Sequence, residues 1–554
     1  MLPIEEQLSR LLRDLLLRDE AGPVAPELAS ASAILWQIPK DPSFGDLSNA
    51  VSFKVAAARK QPPQQVAEAL SRRLGVSCGA DGLGGWVERV EAKGGFLNIF
   101  LSQRALTEVL REVLRRGPRY GARPRGGAAV NIEFVSANPT GPLSVAHGRQ
   151  AAIGDVLARL LRSQGAPVTT EYYLNDEGRQ IELLGRSLRV RALQALGREE
   201  LFPEDGYHGD YVREHAARLA RRHGARLAGW PLERFMAAGM AEQPREIQEV
   251  LDRFKLRFDR WTSQRWLRTS GRIDAALAAL KARGALYEAE DAVWFASTKY
   301  GDDKDRVVRK RDGELTYLAP DIAYHRWKFD RGFGQAVNLW GPDHHGYIAR
   351  VKAAMAALGL PADRLAVRIV QLVTLSRKGK PVPMSKRQGE FVTFREVLDE
   401  VGVDATRFFF LMRTAESHLD FDLDLAKAQS QENPVYYIQY AHARISSILA
   451  KSPRWWAQRR PELERLVAPE ERLLIRWLFQ YPIVLRLCAE ALEPHGLTAY
   501  LRRLAETFHV FYTKHRVISE DQRLSAARLA LVRATRQVFA NGLGLLGIGA
   551  PRRM

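Results

Sequence analysis

The stretch from Ala128 to Leu174 constrains this chain most, because its hydrophobic period changes twice within it. Ala128 to Val135 is an apolar run of strand length, Asn138-Pro139-Thr140-Gly141-Pro142 is a turn, and His147 to Ser163 has helical spacing. After Gly165-Ala166-Pro167, Val168 to Leu174 again reads as a strand. Strand, turn, helix and strand make the βαβ unit of a parallel sheet covered by helices. Apolar runs at Ala336 to Trp340 and Leu365 to Leu375, separated by the helical stretch Tyr347 to Leu358, are expected to extend that sheet.

Around this unit the chain divides by composition. Residues 1–120 read as an α+β domain: Ile4 to Arg18 and Pro63 to Leu74 are amphipathic, and Phe96 to Leu101 alternates as a strand does. Gly117 to Gly127, with Pro118, Pro124 and two adjacent glycines, reads as a linker. Residues 121–390 form the α/β domain, Rossmann-like in pattern, with a charged helical insertion at about 186–270. A connecting segment at 391–430 leads into 431–554, where almost every segment has helical spacing.

The chain has 554 residues, enough for several domains, and 83 Lys and Arg against 64 Asp and Glu give a net charge of +19. Residues 430–554 hold 19 of the basic and 10 of the acidic residues, close to half of the surplus. Such a surplus calls for a polyanion, and nucleic acid is the first candidate. Cys78 and Cys488, the two cysteines, are far apart, so neither a disulfide framework nor a thiolate metal site is indicated. The first helix carries Glu5, Glu6, Arg10, Arg13 and Asp14, which no secretory leader would, and no run is long enough to span a membrane. A soluble, cytoplasmic protein is expected.

Two constellations carry chemistry. In Asn131 to Arg149, polar residues stand at the carboxyl end of a buried strand, and His147 stands at the start of the next helix. Open α/β sheets bind ligands at that edge, and helix N-termini offer N–H groups to phosphate. The plain alternative is a turn in which Asn138 and Ser144 cap backbone groups and His147 is a satisfied surface residue. The second is the basic loop Lys380-Pro381-Val382-Pro383-Met384-Ser385-Lys386-Arg387-Gln388-Gly389. It suits closure over a triphosphate, or is a solvated charged turn.

Together these segments resemble the class I aminoacyl-tRNA synthetases, and arginyl-tRNA synthetase in particular. Ser144-Val145-Ala146-His147 stands where that family has H-I-G-H, and Pro383-Met384-Ser385-Lys386-Arg387 where it has K-M-S-K-S. The flanks are more specific: Glu133 to Pro139, Tyr173 to Asp176, Tyr317 to His325, Trp340 to Tyr347 and Asn433 to Arg444. The resemblance covers almost the whole chain and implies ATP-dependent ligation of L-arginine to tRNA(Arg) through an arginyl-adenylate, with Mg²⁺ accompanying ATP. It also implies that arginine activation needs bound tRNA. It implies roles for the N-terminal domain at the tRNA elbow and for the helical C-terminal domain at the anticodon, in a protein expected to be a monomer. His147 and Lys386 are then the catalytic residues, and Ser144, Ala146, His147, Met384, Ser385 and Lys386 contact ATP. Glu133, Asn138, Tyr317, Asp321 and Asp343 hold the substrate arginine; Tyr317 and Asp321, at i and i+4, share a helical face. A planar guanidinium calls for a carboxylate.

Ser144 and Ala146 depart from the first signature, and a slower or weaker ATP site is expected from them. They also motivate the alternative of a catalytically impaired tRNA-binding paralogue; a class I enzyme for another amino acid is the second alternative. Gly542-Leu543-Gly544-Leu545-Leu546-Gly547 matches a dinucleotide fingerprint, but follows a helix near the chain's end and reads as a helix C-terminal turn. His344-His345 lacks companions for a metal shell, and no metal site is expected. Trp455-Trp456, beside Arg454, Arg459 and Arg460, reads equally as an RNA-stacking pair or as core.

Overall fold

The computed structural model of this chain describes residues 4–18, 34–39, 41–80, 82–382, 392–453, 456 and 460–554. Its centre is a five-stranded parallel sheet, in the order Leu365–Ile369, Gln335–Trp340, Val130–Glu133, Val168–Leu174, Arg260–Ser263. All four residues of Val130–Glu133 are buried, as a central strand covered on both faces requires. Side chains alternate across it. Phe134 packs on the helix Val145–Ser163 at Gly154, where a Cβ would stand 2.2 Å from the phenyl ring. Glu133 turns the other way, beneath the helix Leu318–Asp330.

From Val130–Glu133 the chain steps outward to Arg260–Ser263, then returns to the opposite side with Gln335–Trp340. The order reverses between Val130–Glu133 and Gln335–Trp340, and a crevice opens at the carboxyl ends there.

The structure adjusts two expectations. Leu365 to Leu375 is two strands: Leu365–Ile369 closes the parallel sheet, whereas Val373–Arg377 pairs with Leu419–Asp422 and Lys380–Pro381 in a second sheet. The break is fixed by Val370 N–H on Trp340 O and by Gln371 N–H on Ala415 O, which draw the chain from one sheet to the other. The stretch at about 186–270 is not helical throughout. Helices Arg179–Gln194, Asp210–His223 and Leu232–Arg253 fill its first part, but Arg260–Ser263 returns to the parallel sheet. A small antiparallel sheet, Leu286–Ala289, Ala292–Phe295 and Arg306–Arg309, then precedes the helix Leu318–Asp330.

The N-terminal part is a four-stranded antiparallel sheet, Trp36–Gln37, Leu47–Asn49, Phe96–Leu101 and Val87–Lys93, backed by helices that include Ile4–Leu17 and Pro63–Ala80. The C-terminal part is a bundle of four long helices, Pro434–Lys451, Pro469–Glu490, His495–Lys514 and Gln522–Leu546. Gly547 ends the last helix at φ 71° as its C-terminal cap. The bundle is tied to the centre: fully buried Arg407 donates to Leu546 O, Phe254 O and the Asp155 carboxylate, and Tyr120 Oη donates to Leu478 O. Among the described residues no helix is long and apolar enough to cross a membrane.

Candidate active site

The floor of the crevice is a row of polar residues in register across three strands. Asn338, Glu133 and Glu171 are direct partners in adjacent parallel strands, so their side chains emerge on one face. All three are buried, and each is satisfied. Arg331 Nη2 and Asn131 Nδ2 donate to Glu171, each at 2.6 Å. Lys328 Nζ donates to Glu133 Oε2 at 2.6 Å and to Asn338 Oδ1 at 2.8 Å.

One wall is the turn after Glu133. Val135 and Ser136 have φ of 66° and 37°, a left-handed conformation that a β-branched residue seldom adopts. It turns Ser136 Oγ back on Glu133 Oε1 at 3.1 Å, and the Tyr173 N–H donates to the same Oγ. Ser144 then caps the helix Val145–Ser163. Its own N–H donates to His147 Nδ1 at 3.1 Å, a capping box with histidine in the usual place of glutamate. Nδ1 is therefore the acceptor, and the neutral ring carries its proton on Nε2. Two residues on, fully buried Arg149 donates to the carbonyls of Gln371, Thr414 and Ser417, fixing this helix to the second sheet's approach.

The opposite wall is the first turn of Leu318–Asp330. Tyr347 Oη donates to Asp321 Oδ2 at 2.6 Å. Enclosure by the cleft wall pushes the Asp321 carboxyl up to about 7; the Tyr347 bond lowers it, Glu133 raises it and Lys328 lowers it. His325 is pushed down to about 3 by burial and by Lys328, so it is neutral.

These walls enclose a cleft of about 1230 Å³ lined by Glu133, Asn138, Ser144, Ala146, His147, Tyr317, Asp321 and Asp343. Every described residue that the resemblance assigns to catalysis, ATP or arginine thus lines one space. Met384, Ser385 and Lys386 lie outside the described residues, as do Arg454, Trp455 and Arg459. The pairing of Tyr317 with Asp321 takes a different form: Tyr317 is the N-cap residue of the helix and 71% exposed, and the hydroxyl on Asp321 is that of Tyr347. Sequence reasoning named His325 only as the end of a segment, without a role, and missed Lys328 and Tyr211. Tyr211, in the helical insertion, donates to Thr140 O and brings Glu204 to Tyr207 over the cleft. Apart from His325 Nδ1 on Asp321 O, four positions away, no local spacing signals these contacts.

Three family models match the chain: "Arginyl tRNA synthetase N terminal domain" at residues 4–101, "tRNA synthetases class I (R), catalytic domain" at 245–416 and "DALR anticodon binding domain" at 438–554. Among curated relatives, an arginine--tRNA ligase 1 of Halalkalibacterium halodurans is 42% identical over 560 residues, covering 100% of both chains. An arginine--tRNA ligase of Desulfosudis oleivorans is 46% identical over 529 residues, covering 94% of each. The chain belongs to the arginyl-tRNA synthetase family. A solved arginyl-tRNA synthetase of Thermus thermophilus, 24% identical, shares the fold with a TM-score of 0.79 over 100% of both chains. Tyr317, Asp321 and Asp343 fall inside the matched catalytic stretch of the family, whereas Glu133 to His147 precede it.

Proposed function

We propose that this cleft is where the arginine--tRNA ligase reaction takes place, with L-arginine, ATP and tRNA(Arg) as substrates. The observation that carries the reading is Asp321, a carboxylate enclosed in the cleft wall with one oxygen set by Tyr347 and facing the same space as the helix N-terminus at His147. A guanidinium supplies the positive charge that such a carboxylate lacks. Tyr317 and Asp343 close over the side chain, and Glu133 with Asn138 meets the ammonium end.

An oxygen of the arginine carboxylate attacks the α-phosphorus of ATP. The bond from that phosphorus to the bridging oxygen breaks, and pyrophosphate leaves. A ribose hydroxyl at the tRNA 3′ end then attacks the arginyl carbonyl, and AMP departs. Positioning and charge neutralisation supply the catalysis. His147 donates from Nε2 to the reacting phosphate, and the N–H groups at the start of Val145–Ser163 support it. Ser144 serves by holding the His147 ring, and the Ala146 methyl borders the nucleotide's approach. Lys386, with Met384 and Ser385, is assigned to the phosphates from its place in the second signature. Magnesium enters as part of the nucleotide substrate.

Residues 1–120 and 431–554 take the tRNA elbow and anticodon, in a cytoplasmic monomer. ATP–pyrophosphate exchange dependent on arginine, measured with and without tRNA(Arg), tests the reading. Exchange with another amino acid in preference to arginine would overturn it.

A further inference from the structure

Beneath the cleft runs a chain of hydrogen bonds in which each donor is assigned. Neutral His325 donates Nδ1–H to Asp321 O at 2.8 Å, which leaves Nε2 to accept from Asn338 Nδ2 at 2.7 Å. That orientation turns Asn338 Oδ1 to Lys328, which donates to it at 2.8 Å and to Glu133 Oε2 at 2.6 Å. Flipping the Asn338 amide would set two donors and two acceptors against each other. Ser136 and the Tyr173 N–H complete the chain on the far side of Glu133. The backbone of Asp321 is thereby linked to the carboxylate of Glu133 by side chains buried throughout: Lys328 and Asn338 are fully buried, and His325 is 2% exposed.

The charges sharpen the point. Three carboxylates, Glu133, Glu171 and Asp321, stand near the cations Lys328 and Arg331, with Arg260 also beside Glu171. Arg331 pairs with Glu171 and Lys328 with Glu133. Among the described residues, Asp321 has a tyrosine hydroxyl and no cation in contact. A fully buried lysine is kept only where its charge is paired, and both partners of Lys328, Glu133 and Asn338, belong to the floor of the cleft.

We propose that Lys328 is a positioning residue for the substrate arginine: it pairs with Glu133 and ties it through Asn338 and His325 to the backbone of Asp321, leaving Asp321 as the enclosed carboxylate that takes the guanidinium. The assignment rests on the reading of Asp321 given above. The groups facing Asp321 are Tyr347, Tyr173, Glu133 and Lys328. Those around Lys328 are Glu133, Glu171, Tyr324, His325 and Arg331.

The test is the arginine Kd of the full-length protein against pH, by titration calorimetry. In the unmodified protein affinity rises with pH through about 7, where Asp321 ionises. Lys328→Met removes a positive charge from the cluster and moves that midpoint upward by about one unit, so binding at neutral pH weakens about tenfold while the difference shrinks in alkali. Lys328→Arg keeps the charge and the midpoint. Should Lys328→Met fail to fold, Lys328→Gln removes the same charge while keeping a hydrogen-bond donor, and shifts the midpoint in the same direction. Weakening by one factor at every pH in Lys328→Met, or an unmoved midpoint in the folded variant, overturns the assignment. Asp321→Asn separates the two readings. It abolishes the pH dependence if Asp321 meets arginine; a dependence that survives it, or no arginine binding by the unmodified protein, overturns the reading of Asp321 and the role of Lys328 with it.

Discussion

Tyr347 Oη holds Asp321 Oδ2 at 2.6 Å across the cleft wall, joining residues from two different helical segments. That bond selects one oxygen of the carboxylate and supports its charge against enclosure that pushes it up to about 7. Tyr347→Phe removes a hydrogen bond to a charged group, worth about 1.5–3 kcal/mol. The arginine KM is expected to rise at least tenfold at neutral pH, with the ATP KM little changed. Equal effects on both substrates would place Tyr347 outside arginine recognition.

Asp321→Asn removes the charge opposite the guanidinium while keeping shape. Loss of one desolvated charge pair costs about 2–5 kcal/mol. Steady-state kinetics should show arginine kcat/KM reduced accordingly; an arginine KM within about twofold of the unmodified enzyme, well below one kcal/mol, would remove Asp321 from the pocket.

The titration of Asp321 has a sign that can be checked. Its folded value lies above its ordinary 3.8, so the empty folded protein binds this proton more tightly than the unfolded chain. The contribution of this group to stability is present in acid and is lost as pH rises from about 4 through about 7. Arginine supplies the missing cation, so the rise in Tm it causes should be larger above pH 7 than below it. A ligand-induced Tm shift that is flat across this range would contradict the pairing.

Much of this was legible because it is local. Val168 to Leu174 forms the predicted strand, and the Asn131 to Arg149 segment forms the predicted turn and helix, since hydrophobic period and turn residues act over a few positions. Contacts made across the fold leave no such trace. Tyr347 meets Asp321 over 26 positions, and Lys328 meets Glu133 over 195. Arg260–Ser263 was hidden because a charged strand at a sheet edge lacks an apolar run, and the split at Val370 depends on hydrogen bonds to Trp340 and Ala415.

Arg407 shows how the C-terminal bundle is held. Its guanidinium is fully buried between Asp155, Phe254 O and Leu546 O. Arg407→Met leaves Asp155 without this partner and two carbonyls unsatisfied, and is expected to cost about 3–5 kcal/mol. Chemical denaturation should show that loss, and a stability change under about 0.5 kcal/mol, usual for surface sites, would refute the hub. The same packing means that removing residues after Ser430 would uncover the centre of the fold, so tRNA affinity is better tested by salt. It should fall steeply, with a slope set by the phosphates contacted.

The start of the helix Val145–Ser163 invites opposite changes two residues apart. A Cβ on Gly148 would stand 2.5 Å from the Phe394 ring, so Gly148→Ala must push the helix away or displace an aromatic side chain that is itself fully buried. Overpacking of this kind costs about 1–3 kcal/mol. It would also shift His147, whose ring is set by the Ser144 N–H at 3.1 Å, away from the reacting phosphate. Gly148→Ala is therefore expected to lower both stability and kcat. Ala146 instead borders the open cleft and is only partly buried. Ala146→Gly removes a methyl from the nucleotide's side, and should lower the ATP KM at the expense of about 1 kcal/mol of helix stability. His147→Ala calibrates the pair: loss of one oriented donor lowers kcat by about 10²–10³. Should Gly148→Ala reduce Tm but leave kcat untouched, the position of His147 is not what limits the chemical step.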